Sequence, residues 1–277
     1  MNGNKIINVG VIGVGYLGSF HLEQYLHIDG INIVGFFDID KKLALNKENE
    51  YGIKSFESIE NLFNECDAVS IATPTKTHFD IGMNALSANC HIFIEKPITE
   101  SIDQAQRLVN FSEEKNKTIQ VGHIERFNPA FYTIKDQEIN PLFIESHRLS
   151  PFNIRGTDVD VILDLMIHDI DILLSLTKSE VKEIRASGVS VLSETIDTAN
   201  ARIELTNGCV ANITASRIAQ RKLRKFRFFE KNSYTTIDFL NPSIEKYLLS
   251  DEKPQDKNSF FTMNEKKNKY ILYDKPN

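Results

Sequence analysis

The sequence predicts an α/β chain in two parts: a doubly wound parallel sheet over residues 1–122, then an α+β domain with an open, mostly antiparallel sheet over residues 123–277. Three observations carry this. Strand-like and helical runs alternate through the first part, as a parallel sheet with helices on both faces requires. A glycine-rich turn joins the first strand-like run to the first helical one. After Gly122 the alternation gives way to successive β-rich runs separated by turn residues such as Asn207-Gly208.

Taken in order, Lys5–Ile12 is β-rich and ends in glycines. Tyr16–His27 has helical spacing, with Leu17, Phe20, Leu22 and Leu26 apolar. Ile31–Phe37 is a near-continuous apolar run, as in a strand buried on both faces. Lys41–Glu50 reads as a polar surface helix, Ile59–Phe63 as a short helix and Ala68–Ala72 as a strand. His78–Ala88 is helical and His91–Ile94 a strand. Ser101 opens a helix with a cap-like Ser-Ile-Asp-Gln start that runs to about Asn116, and Thr118–Val121 reads as a sixth strand. In the second part a helical stretch follows Asn128-Pro129, a strand spans Leu142–Leu149 and a strongly apolar helix spans Val161–Leu176. Strands follow at Val181–Val191, Thr198–Leu205, Val210–Arg217, Lys225–Glu230 and Tyr234–Phe239. Asp251–Lys269 is polar and charged and reads as a mobile loop.

Composition narrows the function. Hydrophobic residues at 41 % and charged residues at 25 % are ordinary for a globular chain, so extended disorder is not expected. A net charge of −6 argues against a nucleic-acid binder, while leaving room for a local basic pocket. Cys66, Cys90 and Cys209 are far apart, odd in number and without a CxxC, which reads as buried, reduced thiols with no disulfide framework and no metal site. No apolar run approaches the ~20 residues of a membrane span. The chain enters its first strand almost at once, which leaves no room for a signal peptide, so a cytoplasmic protein is expected.

Gly13, Gly15 and Gly18 form G-x-G-x-x-G between a predicted strand and a predicted helix, and Asp38 ends the second strand at the spacing the motif requires. Gly13 permits the tight turn, Gly15 lets a pyrophosphate approach the backbone, and Gly18 lets helix and strand pack closely. The helix N-terminus offers amide hydrogens and a positive dipole end to phosphates. Gly13, Val14, Gly15, Tyr16, Leu17, Gly18 and Asp38 are therefore the candidate cofactor cradle. Asp38 would accept hydrogen bonds from the adenine ribose and repel a 2′-phosphate, which favours NAD over NADP.

Two features mark the chemistry. Glu95-Lys96-Pro97 stands at the end of the predicted fifth strand, where ligands bind outside the carboxyl ends of such sheets. A partly desolvated Lys96 there can exchange protons; the alternative is a solvated lysine beside a turn proline. In the apolar helix, Asp164, His168, Asp171 and Ser175 recur at steps of four, three and four, a polar stripe that must face a ligand or another polar side chain. Asp164 can orient His168 and support its protonated form, which suits a base that takes an alcohol proton while hydride leaves the same carbon. A structural Asp–His pair in the core is the competing reading.

Four segments in this order resemble the Gfo/Idh/MocA oxidoreductase family: the Gly13–Gly18 fingerprint, Ala72-Thr73-Pro74 with His78, Glu95-Lys96-Pro97, and Asp164-x-x-x-His168. They cover about the first 180 residues. The resemblance implies an N-terminal Rossmann domain, a C-terminal open-sheet domain that holds substrate and often mediates oligomerisation, and NAD as cofactor. It implies Lys96, Asp164 and His168 as the catalytic group, and places Thr73, Pro74 and His78, with Glu95 and Lys96, along the cofactor. A homodimer or homotetramer acting on a small sugar, with neither nucleic acid nor membrane as partner, is expected.

A narrower likeness, over Val121-Gly122-His123-Ile124-Glu125-Arg126-Phe127-Asn128-Pro129 and residues 148–171, is to members of the family that oxidise the 3-hydroxyl of a UDP-N-acetyl sugar such as UDP-N-acetylglucosamine. Arg126, Arg148 and Arg155 could grip its diphosphate, and with Asn128 and His168 they are the candidate substrate contacts. The alternatives are an inositol or free-sugar dehydrogenase, and a non-catalytic NAD- and sugar-binding regulatory protein. Family members usually continue for some tens of residues and end in a helix packed on the first domain; this chain ends just after a predicted strand, which bears on full activity.

Overall fold

A computed structural model describes residues 6–153, 159–250, 260–264 and 269–274, the last two stretches by their backbone pairing alone. The chain divides into two compact units, Met1–Gly122 and His123–Asn277.

In the first unit, strands β1 (Ile7–Ile12), β2 (Ile31–Phe37), β3 (Ala68–Ile71), β4 (His91–Ile94) and β5 (Ile119–Val121) form a parallel sheet in the order β2-β1-β3-β4-β5. The sheet holds the five strand-like runs read from the sequence, so the run ending at Val121 is its fifth strand rather than a sixth and Glu95-Lys96-Pro97 follows the fourth. The further extended pairing of this unit, Ser55 with Phe36, is a single bridge and does not reach strand length. The strand order reverses between β1 and β3, and that reversal opens the crevice in which such sheets bind ligands.

The helices of this unit start and stop where local chemistry dictates. Helix α1 (Tyr16–Tyr25) opens at Gly15. Asp40 caps α2 (Lys41–Tyr51) by accepting the amides of Lys42 and Leu43, and Gly52 ends it at φ 67°. Ser58 caps α3 (Ile59–Phe63), and α4 spans His78–Ser87. Ser101 caps α5 (Ile102–Glu114) by accepting the Gln104 amide. One core cluster joins Leu62, Ile71, Leu86, Ile94 and Leu108, and a second joins Val11, Leu22, Phe36 and Ala44. Each large side chain so buried contributes on the order of 1.5–3 kcal/mol.

The second unit is built on one nine-stranded sheet. Helix α6 (Pro129–Tyr132) precedes β6 (Phe143–Leu149). Strands β7 (Val181–Val189), β8 (Thr198–Leu205), β9 (Val210–Ser216), β10 (Leu223–Glu230), β11 (Ser233–Asp238), β12 (Ser243–Ser250), β13 (Phe260–Asn264) and β14 (Lys269–Asp274) complete it, in the order β13-β14-β12-β11-β10-β6-β9-β8-β7. All neighbours are antiparallel except β6 and β9. Burial alternates along β6, β8 and β9, as one covered face demands.

The covered face holds Ile144, Ile203, Ile213 and Phe226 against Ile172, Leu173 and Leu176 of the apolar helix. That helix begins with a π-helical turn over Ile162–Met166 and continues as α7 (Ile167–Thr177). Two strands depart from expectation. β12 was hidden because Glu245-Lys246 breaks the alternation of Ser243–Ser250; its pairing with β11 supplies the order. β13 lies inside the stretch read as a loop, where Phe260-Phe261-Thr262 is the β-prone part. Residues 251–259 and 265–268 of that stretch lie outside the described residues. Among the described residues no helix is long and apolar enough to cross a membrane.

Candidate active site

The glycine turn after β1 leaves little choice of residue. Gly13 has φ +82°, and a Cβ there would stand 2.8 Å from the Ala72 carbonyl oxygen. A Cβ on Gly18 would stand 1.8 Å from the Gly13 carbonyl oxygen, so turn and helix touch backbone to backbone. Gly15 is the opposite case: nothing lies within 4 Å of its would-be Cβ. It is the N-cap of α1, it offers no capping side chain, and no acidic residue stands in the first turn to offset the positive dipole end. Val14 is buried, whereas Tyr16 and Leu17 are exposed. Asp38, just past β2, accepts the Val14 amide at 2.8 Å and the Asp40 amide at 2.9 Å. It thus ties the glycine turn to the end of the second strand. An open cradle at a helix N-terminus, with a carboxylate beside it, fits a dinucleotide diphosphate and its ribose.

Two further loops stand at the carboxyl end of the sheet. Thr77 Oγ1 donates to Thr73 Oγ1 at 2.8 Å, beside Pro74. His78 is buried and bridges two carbonyl oxygens, Thr73 O and Pro97 O, at 2.9 Å each. It therefore links the Thr73-Pro74 loop to the loop of Lys96, whose peptide bond to Pro97 is cis. Glu95 Oε1 lies 2.9 Å from His21 Nε2, and His21 Nδ1 lies 2.6 Å from Ser70 Oγ. Sequence reasoning passed over His21. Its signal was its position one turn beyond Gly18, on the face of α1 that turns to the sheet.

In the second unit Asp164 lies in the π-helical turn, and His168 near the start of α7. The rest of the predicted stripe behaves differently. Asp171 is buried and gripped by Arg126, with Nε–Oδ2 2.7 Å and Nη2–Oδ1 2.5 Å, and His123 Nδ1 stands 3.8 Å away. Asp169, absent from the stripe, is also buried; it accepts from Arg148 Nε at 2.5 Å and from Ser146 Oγ at 2.7 Å. Arg148 Nη1 donates to Glu125 at 2.8 Å, and Arg224 approaches the same carboxylate at 3.4 Å.

Two of the predicted substrate contacts, Arg148 and Asn128, are bonded to neighbours within this unit. Arg148, at 2 % exposure, is ion-paired to two enclosed carboxylates that require its charge. The Asn128 side chain caps α6 and donates to Glu125 and to the Phe239 carbonyl. Arg126 keeps a half-exposed guanidinium despite its bond to Asp171. Arg155 lies outside the described residues. No cluster of three or more metal-ligating side chains occurs among the described residues.

The first unit thus carries a site shaped for a nicotinamide dinucleotide, which sets the chain among the NAD-dependent oxidoreductases. Residues 7–123 match the model of the oxidoreductase family with an NAD-binding Rossmann fold, and residues 145–232 that of the GFO/IDH/MocA C-terminal domain. The chain belongs to the Gfo/Idh/MocA family, and its cofactor is NAD. It is 40 % identical over 242 residues, 87 % of its length and 77 % of the relative's, to the UDP-N-acetylglucosamine 3-dehydrogenase of Acidithiobacillus ferrooxidans. A crystal form of that enzyme superposes with a TM-score of 0.84, covering 87 % of this chain and 80 % of that one. The inositol 2-dehydrogenase of Rubrobacter xylanophilus is 28 % identical over 66 % of this chain and 56 % of its own.

Proposed function

We propose that the protein oxidises the 3-hydroxyl of a UDP-N-acetyl sugar such as UDP-N-acetylglucosamine to a ketone. The 40 % identity, over 87 % of the chain, to an enzyme named for that substrate carries the reading. Residues 1–122 are the NAD-binding domain and residues 123–277 the substrate and oligomerisation domain. The alcohol carbon gives up a hydride and its oxygen a proton; bound NAD supplies the hydride acceptor.

Gly13, Val14, Gly15, Tyr16, Leu17 and Gly18 hold the diphosphate at the positive end of α1, and Asp38 accepts from the ribose hydroxyls. Thr73, Pro74 and Glu95 border the cofactor, with His78 fixing the loop of the first two to that of Lys96. His168 takes the hydroxyl proton, with Lys96 as the second candidate base, and Asp164 orients the imidazole. Arg126 is the remaining described arginine of the expected diphosphate grip. With Arg148 enclosed, the nucleotide part of the substrate rests on the relative rather than on a basic pocket. That same observation, with the inositol 2-dehydrogenase relative, supports a second reading, an inositol or free-sugar dehydrogenase. The reading includes a cytoplasmic homodimer or homotetramer. Three free cysteines suit a reducing compartment. A half-buried cross-strand row of Phe143, Phe229, Tyr234 and Tyr247 on one sheet face suits association.

Stoichiometric enzyme mixed with NAD and UDP-N-acetylglucosamine should give a burst of NADH absorbance, and His168→Ala should lack it. No burst despite measured NAD binding rejects this substrate. A burst with myo-inositol or a free sugar in its place installs the second reading.

A further inference from the structure

We infer that His21 is a positioning residue for Lys96, acting through the carboxylate of Glu95. The inference rests on the reading of Lys96 as a residue of the reaction. The His21 ring is wedged between two strands of the first unit. Its Nδ1 meets Ser70 Oγ on β3 at 2.6 Å, its Nε2 meets Glu95 Oε1 past β4 at 2.9 Å, and its edge meets the Phe93 ring at 5.3 Å between centroids. Ser70 is fully buried, so the far side of the ring is anchored in the core.

The other oxygen of Glu95 accepts the Lys96 amide at 3.3 Å. Gly122 closes the third side: a Cβ there would stand 3.1 Å from that same oxygen, so the residue after β5 leaves room for the carboxylate and little more. Glu95 is thereby fixed by α1, by its own main chain and by the end of β5. Beyond Lys96, the Pro97 carbonyl is held by His78 at 2.9 Å. Two histidines therefore bracket Lys96, one through the residue before it and one through the residue after it. His21 also stands on the helix whose first turn cradles the diphosphate. The seating of that helix and the placement of the lysine are thus mechanically linked. Displacements of about 1 Å at a reacting group cost on the order of 100-fold in rate, so a bracket of this kind bears on turnover more than on binding.

The test uses the full chain and three readouts. His21→Asn keeps a polar atom near the Ser70 side and withdraws it from Glu95; His21→Gln extends an amide to the Glu95 side. His21→Asn should slow the NADH burst on the order of 10–100-fold, while the NAD dissociation constant stays within about twofold. Hydrogen exchange should rise in the peptide over Glu95–Thr99 and not across α1 or β3. His21→Gln should restore burst rate and local protection toward the native values. Unchanged local exchange and an unchanged burst in His21→Asn would overturn the inference. So would His21→Gln failing like His21→Asn with exchange raised throughout α1 and β3, since the ring would then only pack. If the native enzyme gives no burst with any sugar, the substrate reading has failed; the exchange comparison, which needs no substrate, still decides the role of His21.

Discussion

Arg148 carries a full charge at 2 % exposure, and its neighbours explain why. Glu125 and Asp169 come from separate segments, each enclosed and each ion-paired to it. Removing the guanidinium leaves the buried Asp169 without a counter-charge and Glu125 with Arg224 alone, which costs far more than the pair contributes over an apolar replacement. Arg148→Ala should lower stability by about 3–5 kcal/mol, read as a shift of the urea midpoint. Arg126→Ala should lose less, because its guanidinium is half exposed. A loss of under ~1 kcal/mol for Arg148→Ala would show that the carboxylates find other partners. The sequence showed arginines in an acidic chain but not what they bind. The partners sit near positions 125, 148 and 169, and no local pattern joins those three. Asp169 shows the same limit: it is as polar as Asp164 or Asp171, but a stripe drawn at helical spacing from Asp164 leaves it out, although it is buried as deeply as any of them.

Elements whose geometry is fixed within a few residues were legible. The glycine turn is the clearest, and its two positions make opposite predictions. Gly18→Ala places a methyl 1.8 Å from the Gly13 carbonyl oxygen, so it should disrupt the turn and lower the melting temperature of the NAD-free protein. Gly15→Ala meets nothing within 4 Å, so it should melt like the native chain yet weaken NAD binding at least about tenfold, by filling the space of the phosphate. Calorimetry with and without NAD separates the two; equal NAD affinity in Gly15→Ala would remove the diphosphate from that position. Ser101 was likewise readable as a cap, because its bond to the Gln104 amide spans three residues. The π-helical turn at Ile162–Met166 was not, since nothing in a run of apolar residues says which turn will widen against the sheet. β12 was missed for a related reason: its order comes from its neighbours.

At the scale of the whole molecule, stability should fall away on both sides of a broad neutral plateau. Asp197 is fully enclosed. The Ser193 hydroxyl, and then the amides of Ser193, Val191 and Leu192, hold its carboxyl well below the usual range. Its folded-state value is lower than its unfolded one, so its contribution is present above about pH 4 and is lost as pH falls. Burial pushes the thiols of Cys66 to about 12 and Cys209 to about 11. Folded values above unfolded ones reverse the sign: that contribution is full below about pH 8.5 and is lost as pH rises toward 11–12. Urea midpoints from pH 3 to 11 should trace both limbs. Asp197→Asn should flatten the acid one and Cys66→Ala the alkaline one; native-like limbs in both variants would assign the pH dependence to other groups. Of the three cysteines read as buried thiols, Cys90 and Cys209 are buried and Cys66 is half-buried. The Asp197 knot was not readable, because its donors are brought together by the turn between β7 and β8.

The place of β6 in the interior of its sheet has a consequence for synthesis. It is the first strand of the second unit to leave the ribosome, yet its partners are β9 and β10, and Glu145 meets Arg227 82 residues further along. At about 5–20 residues per second, β6 waits on the order of 4–16 s before both of its edges can be paired. In the first unit β1 meets its first partner sooner, since Ile7 pairs with Ile31 of β2, and all five strands are complete by Val121. The nascent second unit is therefore the part of this chain that a chaperone has most reason to hold, and the interval ends only when β10 arrives.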